Sequence, residues 1–348
     1  MEGPARYLCG PAARWSRNRC RAVLWPGGQA AGRAPAKEPS MNLFRTASPE
    51  GEALSQLAPA IRSALEAMIP AGARRVPGRF DPEAGLLGRL GSLDVRLARS
   101  AAEVRAAQQL RYRVFYEEMS ARPSRLQKMT RRDKDAFDRY CDHLLVIDRD
   151  RDGDLSERIV GTYRLMRQEA AELAGGFYTA SEFDIAPMLA RHKGLTFLEL
   201  GRSCVLKDYR GKRTVELLWQ GIWSYVRKHR VDVLFGCASL AGTDPASLAT
   251  PLAFLRESSA PPAEWRVRAR PERRAPVTPP PAGADQRRAL ASLPPLLKGY
   301  LRLGGHIGED AVVDRQFGTT DVLVVLPVAN IHPRYIEYYG DESGRFLA

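Results

Sequence analysis

Residues 198–220 read LELGRSCVLKDYRGKRTVELLWQ, and this stretch sets a carboxylate and a guanidinium, Glu199 and Arg202, three positions apart on an apolar run. The carboxylate is a candidate proton acceptor. On an ideal strand the two side chains point to opposite faces, which argues against a mutual ion pair. A basic loop follows, carrying Lys207, Arg210, Lys212 and Arg213, and it runs directly into a helical pattern. A helix start presents unsatisfied N–H groups and a partial positive charge, so this junction suits an anion, with Thr214 as the expected N-cap. A second group, Asp135 and Asp138, would share a face if helical. These carboxylates could hold a substrate ammonium or pair with Arg111 or Arg164.

The elements that must position these residues follow from periodicity. Residues 196–206 and 231–238 read as strands flanking a helix at 214–228, which makes a βαβ unit with a parallel pair. The helix, TVELLWQGIWSYVRKH, is apolar nearly all round and so must be deeply buried behind the loop. Upstream, LDVRLAR near Leu93 is an expected strand and SAAEVRAAQQLRYRVFYEEM an expected helix opened by a Ser100/Glu103 capping box. CDHLLVIDRDRDGDLSERIVGTYRLM reads as a hairpin. Its tip imitates a calcium loop through Asp148, Asp150, Asp152, Gly153 and Leu155, but Ile159 stands where the bidentate Glu is needed, so no metal is expected. Thr320–Val328 is an expected buried strand. Cys237 and Ser239 end a strand, where they are expected as core residues, as is His143.

The rest of the chain of 348 residues sorts around that domain. Residues 1–40 are expected to be an extension, disordered or non-native. Residues 41–90 hold an amphipathic helix at 52–70 and a linker. A single domain spans 91–330 with a Pro/Arg-rich surface insertion at about 257–292, and 331–348 is a tail. The formal charge of +13 points to an anionic partner. Five scattered cysteines form neither a zinc pattern nor a disulfide framework, and no apolar run is long enough to span a bilayer. A cytoplasmic location is the expectation; the 52–70 helix is expected to dock on the protein's own surface, with peripheral contact at the cytoplasmic face of the inner membrane as the alternative.

The motifs LRYRVFYEEM, DKDAFDRYCDHLLV, GTYRL, LELGRSCVLKDYRGKRTVELLWQGI, LPPLLKGYLRLGG and FGTTDVLVVLPV, in this order, resemble the ornithine-lipid N-acyltransferases. These form a branch of the GNAT superfamily related to the acyl-homoserine-lactone synthases. The resemblance implies an α/β fold of GNAT type, with a mixed central sheet flanked by helices. It also implies transfer of a 3-hydroxyacyl chain from acyl carrier protein to the α-amine of L-ornithine. No bound cofactor is expected; the acyl-carrier thioester is the donor substrate. Against the lactone-synthase pattern Arg111, Phe115, Asp135, Asp138, Arg164, Glu199 and Arg202 match, but the tryptophan which that family places shortly after the phenylalanine is missing, since 116–122 reads YEEMSAR.

The superfamily's tight loop R/Q-x-x-G-x-G/A falls on Arg210, Arg213 and Val215, so its small residues are replaced. A protein-borne donor has no pyrophosphate to cradle, which lets basic side chains take that place. The resulting expectation has Glu199, Arg202 and Asp138 as catalytic. Arg210, Lys212, Arg213, Thr214, Arg111 and Phe115 would bind the donor, and Asp135 and Arg164 would hold or support the acceptor. The rival readings are another amine acceptor, S-adenosylmethionine included, or a non-catalytic basic binder of nucleic acid or anionic lipid. Against the last, basic and acidic residues alternate in the folded part and no aromatic–basic stacking pattern appears, so no nucleic acid is expected.

Overall fold

The computed structural model describes Phe80, residues 84–119 and residues 121–339. The expected extension at 1–40 and the helix at 52–70 lie outside the described residues.

Short apolar runs, those of the central strands buried on both faces, build eight strands: β1 Leu86–Leu90, β2 Leu93–Leu97, β3 Asp142–Asp148, β4 Ile159–Arg167, β5 Phe197–Val205, β6 Val233–Ala241, β7 His306–Asp314 and β8 Thr319–Pro327. They form one sheet in the order β1-β2-β3-β4-β5-β6-β8-β7. Neighbours run antiparallel except β5 and β6, which pair in parallel, so the sheet is mixed and helices flank it. The sequence pattern assigned 86–90 to a linker; a five-residue strand containing Gly88 gives little periodic signal. Gly88 is required there, because a Cβ would stand 2.7 Å from Gln220 Cγ of the helix packed on this strand.

Two helices brace the site. Helix α1, Ala101–Tyr112, starts at Ser100, whose side chain accepts from the N–H of Glu103, and then widens into a π turn at Arg113–Glu118. Only half of the expected capping box forms, since the Glu103 carboxylate reaches the Arg99 N–H and the Arg96 guanidinium instead. Helix α2, Lys212–His229, joins β5 to β6. Its N-cap is Gly211, so the expected cap Thr214 sits inside the first turn and is buried. The basic residues 212 and 213 are helical rather than part of the loop.

The sheet separates two apolar layers. On one face Val95, Leu144, Val146, Leu198 and Leu200 meet Leu217, Leu218 and Ile222 of α2. On the other, Phe197, Val233, Phe235, Cys237 and Leu323 meet Phe177, Phe183 and Met188, while Leu145, Ile147 and Cys204 meet α1. The β3–β4 connection is a polar tip as expected, with one helical turn, Leu155–Arg158, capped by Asp154. Asp148 there accepts from the Tyr209 hydroxyl at 2.6 Å.

Two boundaries differ from the sequence pattern. The segment 257–292 is not purely a surface excursion: Val267 and Ala269 are buried, and Ala269 bridges Phe183. Its alternation Arg266-Val267-Arg268-Ala269 sends the apolar residues inward and the arginines to Glu309 and Asp310. The expected tail contains a helix, Pro333–Tyr339, tied to α2 by the Tyr338 hydroxyl on Glu216 at 2.6 Å.

Candidate active site

Strand β5 does not run as an ideal strand. Opposite it, Arg164 pairs with Gly201 and Thr162 with Cys204, so an advance of two residues on β4 is matched by three on β5. This is a bulge, and Arg202 takes the left-handed conformation within it at φ 53°. A non-glycine residue in that region is uncommon and marks a position held by its surroundings. The extra residue resets the alternation. Glu199 and Arg202 therefore share a face, contrary to the ideal-strand expectation, and both touch Tyr178. They form no ion pair, as expected, because each has other partners.

The partners of Arg202 belong to a closed set of three guanidiniums and three carboxylates. Arg111 donates through Nη2 to both oxygens of Asp138 at 2.8 and 2.9 Å and to the Asp133 carbonyl at 2.5 Å, with its Nε 2.9 Å from Asp133 Oδ2. Arg164 Nη1 reaches the Asp135 oxygens at 2.8 and 2.7 Å and Asp138 at 3.3 Å. Arg202 donates through Nε to Asp133 at 2.8 Å and through Nη2 to Asp135 at 3.4 Å. Burial alone would push the Asp138 carboxyl up, but the adjacent Arg111 and Arg164 hold it well below the usual carboxylate range. Asp135 and Asp138 sit in a turn rather than on a helix, because Asp135 Oδ1 accepts the N–H groups of Phe137 and Asp138. Arg202 Nη1 is buried and has no hydrogen-bond partner among the described residues. Its guanidinium lies 5.0 Å from the Phe317 ring centroid and 6.0 Å from that of Tyr178.

Glu199 is buried, at 4% exposure, and its two oxygens accept the backbone N–H groups of Tyr178 at 3.0 Å and Thr179 at 2.6 Å. Burial raises its pKa, against the opposing pull of those hydrogen bonds and of Arg164. The Thr179 hydroxyl also hydrogen-bonds the carboxylate, which leaves part of its lone-pair capacity open.

Glu199 also marks the last rung between the parallel strands. The pairs are Phe197 with Val233, Leu198 with Leu234 and Glu199 with Phe235. Beyond them β5 ladders with β4 and β6 with β8, and the two strands part. On the β6 side of this fork stand the buried Cys237 and Ser239. The Cys237 thiol is 3.7 Å from the Thr179 hydroxyl, and burial pushes its pKa well up, so it is a neutral thiol at pH 7. His143, also buried, has Nε2 2.9 Å from the Asp138 carbonyl, and burial lowers its pKa.

The basic loop is braced. Arg210 pairs with Glu118 and donates to the Val205 carbonyl at 3.0 Å. Lys212 and Arg213 are exposed; Lys212 lies 3.5 Å from Glu216 and Arg213 donates to the Leu90 carbonyl at 3.3 Å. Arg111 and Phe115, grouped above with the donor-binding residues, are fully enclosed, so neither can touch the surface of a docked protein. Thr214 is likewise buried.

The structure thus gathers Arg111, Asp135, Asp138, Arg164, Glu199 and Arg202 on one side of the sheet and leaves Lys212 and Arg213 outside. Sequence reasoning missed Asp133, which two arginines share, although it opens the run DKDAFD beside the two aspartates that were identified. It also missed Tyr178 and Thr179, whose backbone amides, together with the Thr179 hydroxyl, meet Glu199 from a segment no local pattern links to it.

Residues 110–220 match the acetyltransferase (GNAT) domain family. The chain is 54% identical over 266 residues, 76% of its length and 90% of the relative's, to the L-ornithine N(alpha)-acyltransferase of Rhizobium meliloti. It is 55% identical over 262 residues, 75% of its length and 89% of the relative's, to the protein of that name from Agrobacterium fabrum. Among solved structures, a CoA-dependent acyl-homoserine lactone synthase covers 71% of this chain and 90% of its own at 14% identity, with a TM-score of 0.38.

Proposed function

Because the chain belongs to the L-ornithine N(alpha)-acyltransferases, we propose that it moves a 3-hydroxyacyl group from acyl carrier protein to the α-amine of L-ornithine, giving lyso-ornithine lipid. The observation that carries the reading is the buried Glu199 at the fork between β5 and β6. An amine attacks only when neutral, so the substrate ammonium must lose a proton before the C–N bond forms and the C–S bond breaks. A carboxylate whose pKa is raised by burial is suited to take that proton at its remaining lone pairs. The edges of the two strands beyond the fork supply backbone hydrogen-bonding groups on either side of a thioester, as an added strand would meet. The thiolate that leaves takes up a proton, which balances the one that Glu199 removes from the ammonium.

Arg202 completes the acceptor side. Its unengaged Nη1 is a donor for the α-carboxylate, while Asp133 and Asp135 fix the rest of its guanidinium. Asp135, Asp138, Arg111 and Arg164 then act as support that positions Arg202, since their charges already match one another. On the outside, Lys212 and Arg213 in the first turn of α2 meet the acidic surface of the carrier protein, and Arg210 braces the loop that leads into that turn. Among the described residues no helix is long and apolar enough to cross a membrane. Transfer of a labelled 3-hydroxyacyl group from carrier protein to ornithine tests the reading. A protein that acylates no amino acid under any donor condition would end it.

A further inference from the structure

Beyond Glu199, two carboxylates on the sheet, Asp314 of β7 and Asp321 of β8, meet a third, Glu182, from the turn that follows Tyr178–Ser181. Glu182, Asp314 and Asp321 each present an oxygen within 4.8 Å of the others, and all three side chains are buried. We propose that they form the subsite for the side-chain ammonium of the acceptor and so select a diamino acid over a neutral one. The proposal rests on the acceptor reading above and specifies how that acceptor is chosen.

Register puts the cluster on the acceptor's path. Glu199 pairs with Phe235, and Ser239, four residues further along β6 and so on the same face, pairs with Asp321. The rungs are therefore about 13 Å apart along the strand. An extended ornithine separates its two nitrogens by roughly 6 Å, and a hydrogen bond of about 2.9 Å at each end brings the span to roughly 12 Å. The segment between is continuous. Thr179 gives its N–H to Glu199 and has its hydroxyl beside Cys237, and one turn later the Glu182 N–H bonds the Thr179 carbonyl. The thiol of Cys237 feels the charges of Glu182, Asp321 and Glu199 together, as a group lying between the two sets would.

A separate observation points to a ligand there. Thr319 is 4% exposed, and its buried hydroxyl has no hydrogen-bond partner among the described residues. Thr319 is the rung partner of Asp314 and lies two residues before Asp321, so its side chain projects on the face of both. It adds an uncharged acceptor oxygen to three carboxylates. An ammonium has three N–H donors and one positive charge, and a cluster of carboxylates favours that charge. Arg273 approaches Glu182 at 3.4 Å from a partly exposed position, which offsets only part of the negative field.

The test compares kcat/KM for ornithine with that for norvaline, which has the same carbon chain without the terminal amine, using purified full-length protein and 3-hydroxyacyl carrier protein. A site built to bind the ammonium is expected to favour ornithine by at least about 100-fold. Asp321→Asn and Glu182→Gln are each expected to lower that ratio at least tenfold, and Thr319→Val to lower it severalfold should either of the first two fail to fold. A ratio within twofold of wild type in every folded variant overturns the subsite, as does a wild type that takes both amino acids equally. Activity lost to a chelator and restored by a divalent cation, with the variants losing the metal, overturns it in favour of a metal site. A wild type that acylates neutral amino acids without preference refutes the subsite alone, whereas one inert to all amines refutes the acceptor reading and the subsite with it.

Discussion

Replacing Arg111 by methionine keeps most of the side-chain volume but removes the charge that Asp133 and Asp138 share. Arg111 is fully buried and makes contacts to both Asp138 oxygens, the Asp133 carboxylate and the Asp133 carbonyl. Truncating one partner of a buried ion pair costs about 3–5 kcal/mol, because the other is left desolvated and unmatched. Here the loss falls toward the lower end. Asp138 keeps Gln108 Nε2 at 3.0 Å and Arg164 at 3.3 Å, and Asp133 keeps Arg202 and the Tyr116 hydroxyl. About 3 kcal/mol in a domain of this size lowers Tm by roughly 10 °C. Denaturant titration of wild type and Arg111→Met gives the value directly. Adding Asp138→Asn to the variant removes one stranded charge and is expected to recover part of the loss. A cost below about 1 kcal/mol would refute the view that these charges are matched and water-excluded.

The same variant carries a pH signature. The pKa of Asp138 is depressed in the fold, so its contribution is present above the ordinary value of 3.8 and is lost as pH falls through the lower folded value. Without Arg111 the depression shrinks, and the acid-unfolding midpoint moves to higher pH.

Glu199 has the opposite sign. Its raised pKa gives a stability contribution that is full below the ordinary 4.5 and is lost as pH rises through the folded value, so wild type should lose stability relative to Glu199→Gln over that interval in a pH series of denaturation curves. Arg202→Gly and Arg202→Ala delete the same ion pairs, but alanine also bears the strain of φ 53°, so glycine should be the more stable by roughly 0.5–1 kcal/mol. Charge reversal at Lys212 and Arg213 should raise KM for acyl carrier protein severalfold, more at low salt than at high, and leave kcat within about twofold. Stopped assays at two ionic strengths separate these outcomes.

Much of the fold was legible because burial writes itself into periodicity. The apolar character of α2 and the continuous apolar runs of β3, β4, β5 and β8 could be read from the sequence. β1 could not, since five residues around Gly88 carry too few side chains to show a period, and their strand is fixed by pairing with β2. The buried residues at 267–269 were hidden by proline and arginine composition around them. Within the site, Arg202 and Glu199 were legible as residue types, whereas their shared face depends on a bulge that arises from the pairing of β4 with β5. Thr214 failed as a cap because Gly211 starts the helix one turn earlier. The Glu182, Asp314 and Asp321 cluster joins segments more than 130 residues apart, a proximity that no local pattern contains.

The most direct test of the account is single-turnover transfer from 3-hydroxyacyl carrier protein to ornithine by wild type and Glu199→Gln, followed across pH, with folding of both checked by thermal denaturation. The account predicts N-acylornithine from wild type and, for a folded Glu199→Gln, a rate reduced by at least about 100-fold that recovers as rising pH deprotonates the free amine. A folded variant that acylates ornithine at the wild-type rate near pH 7 would contradict it and leave Glu199 as the anchor of the Tyr178–Thr179 turn alone.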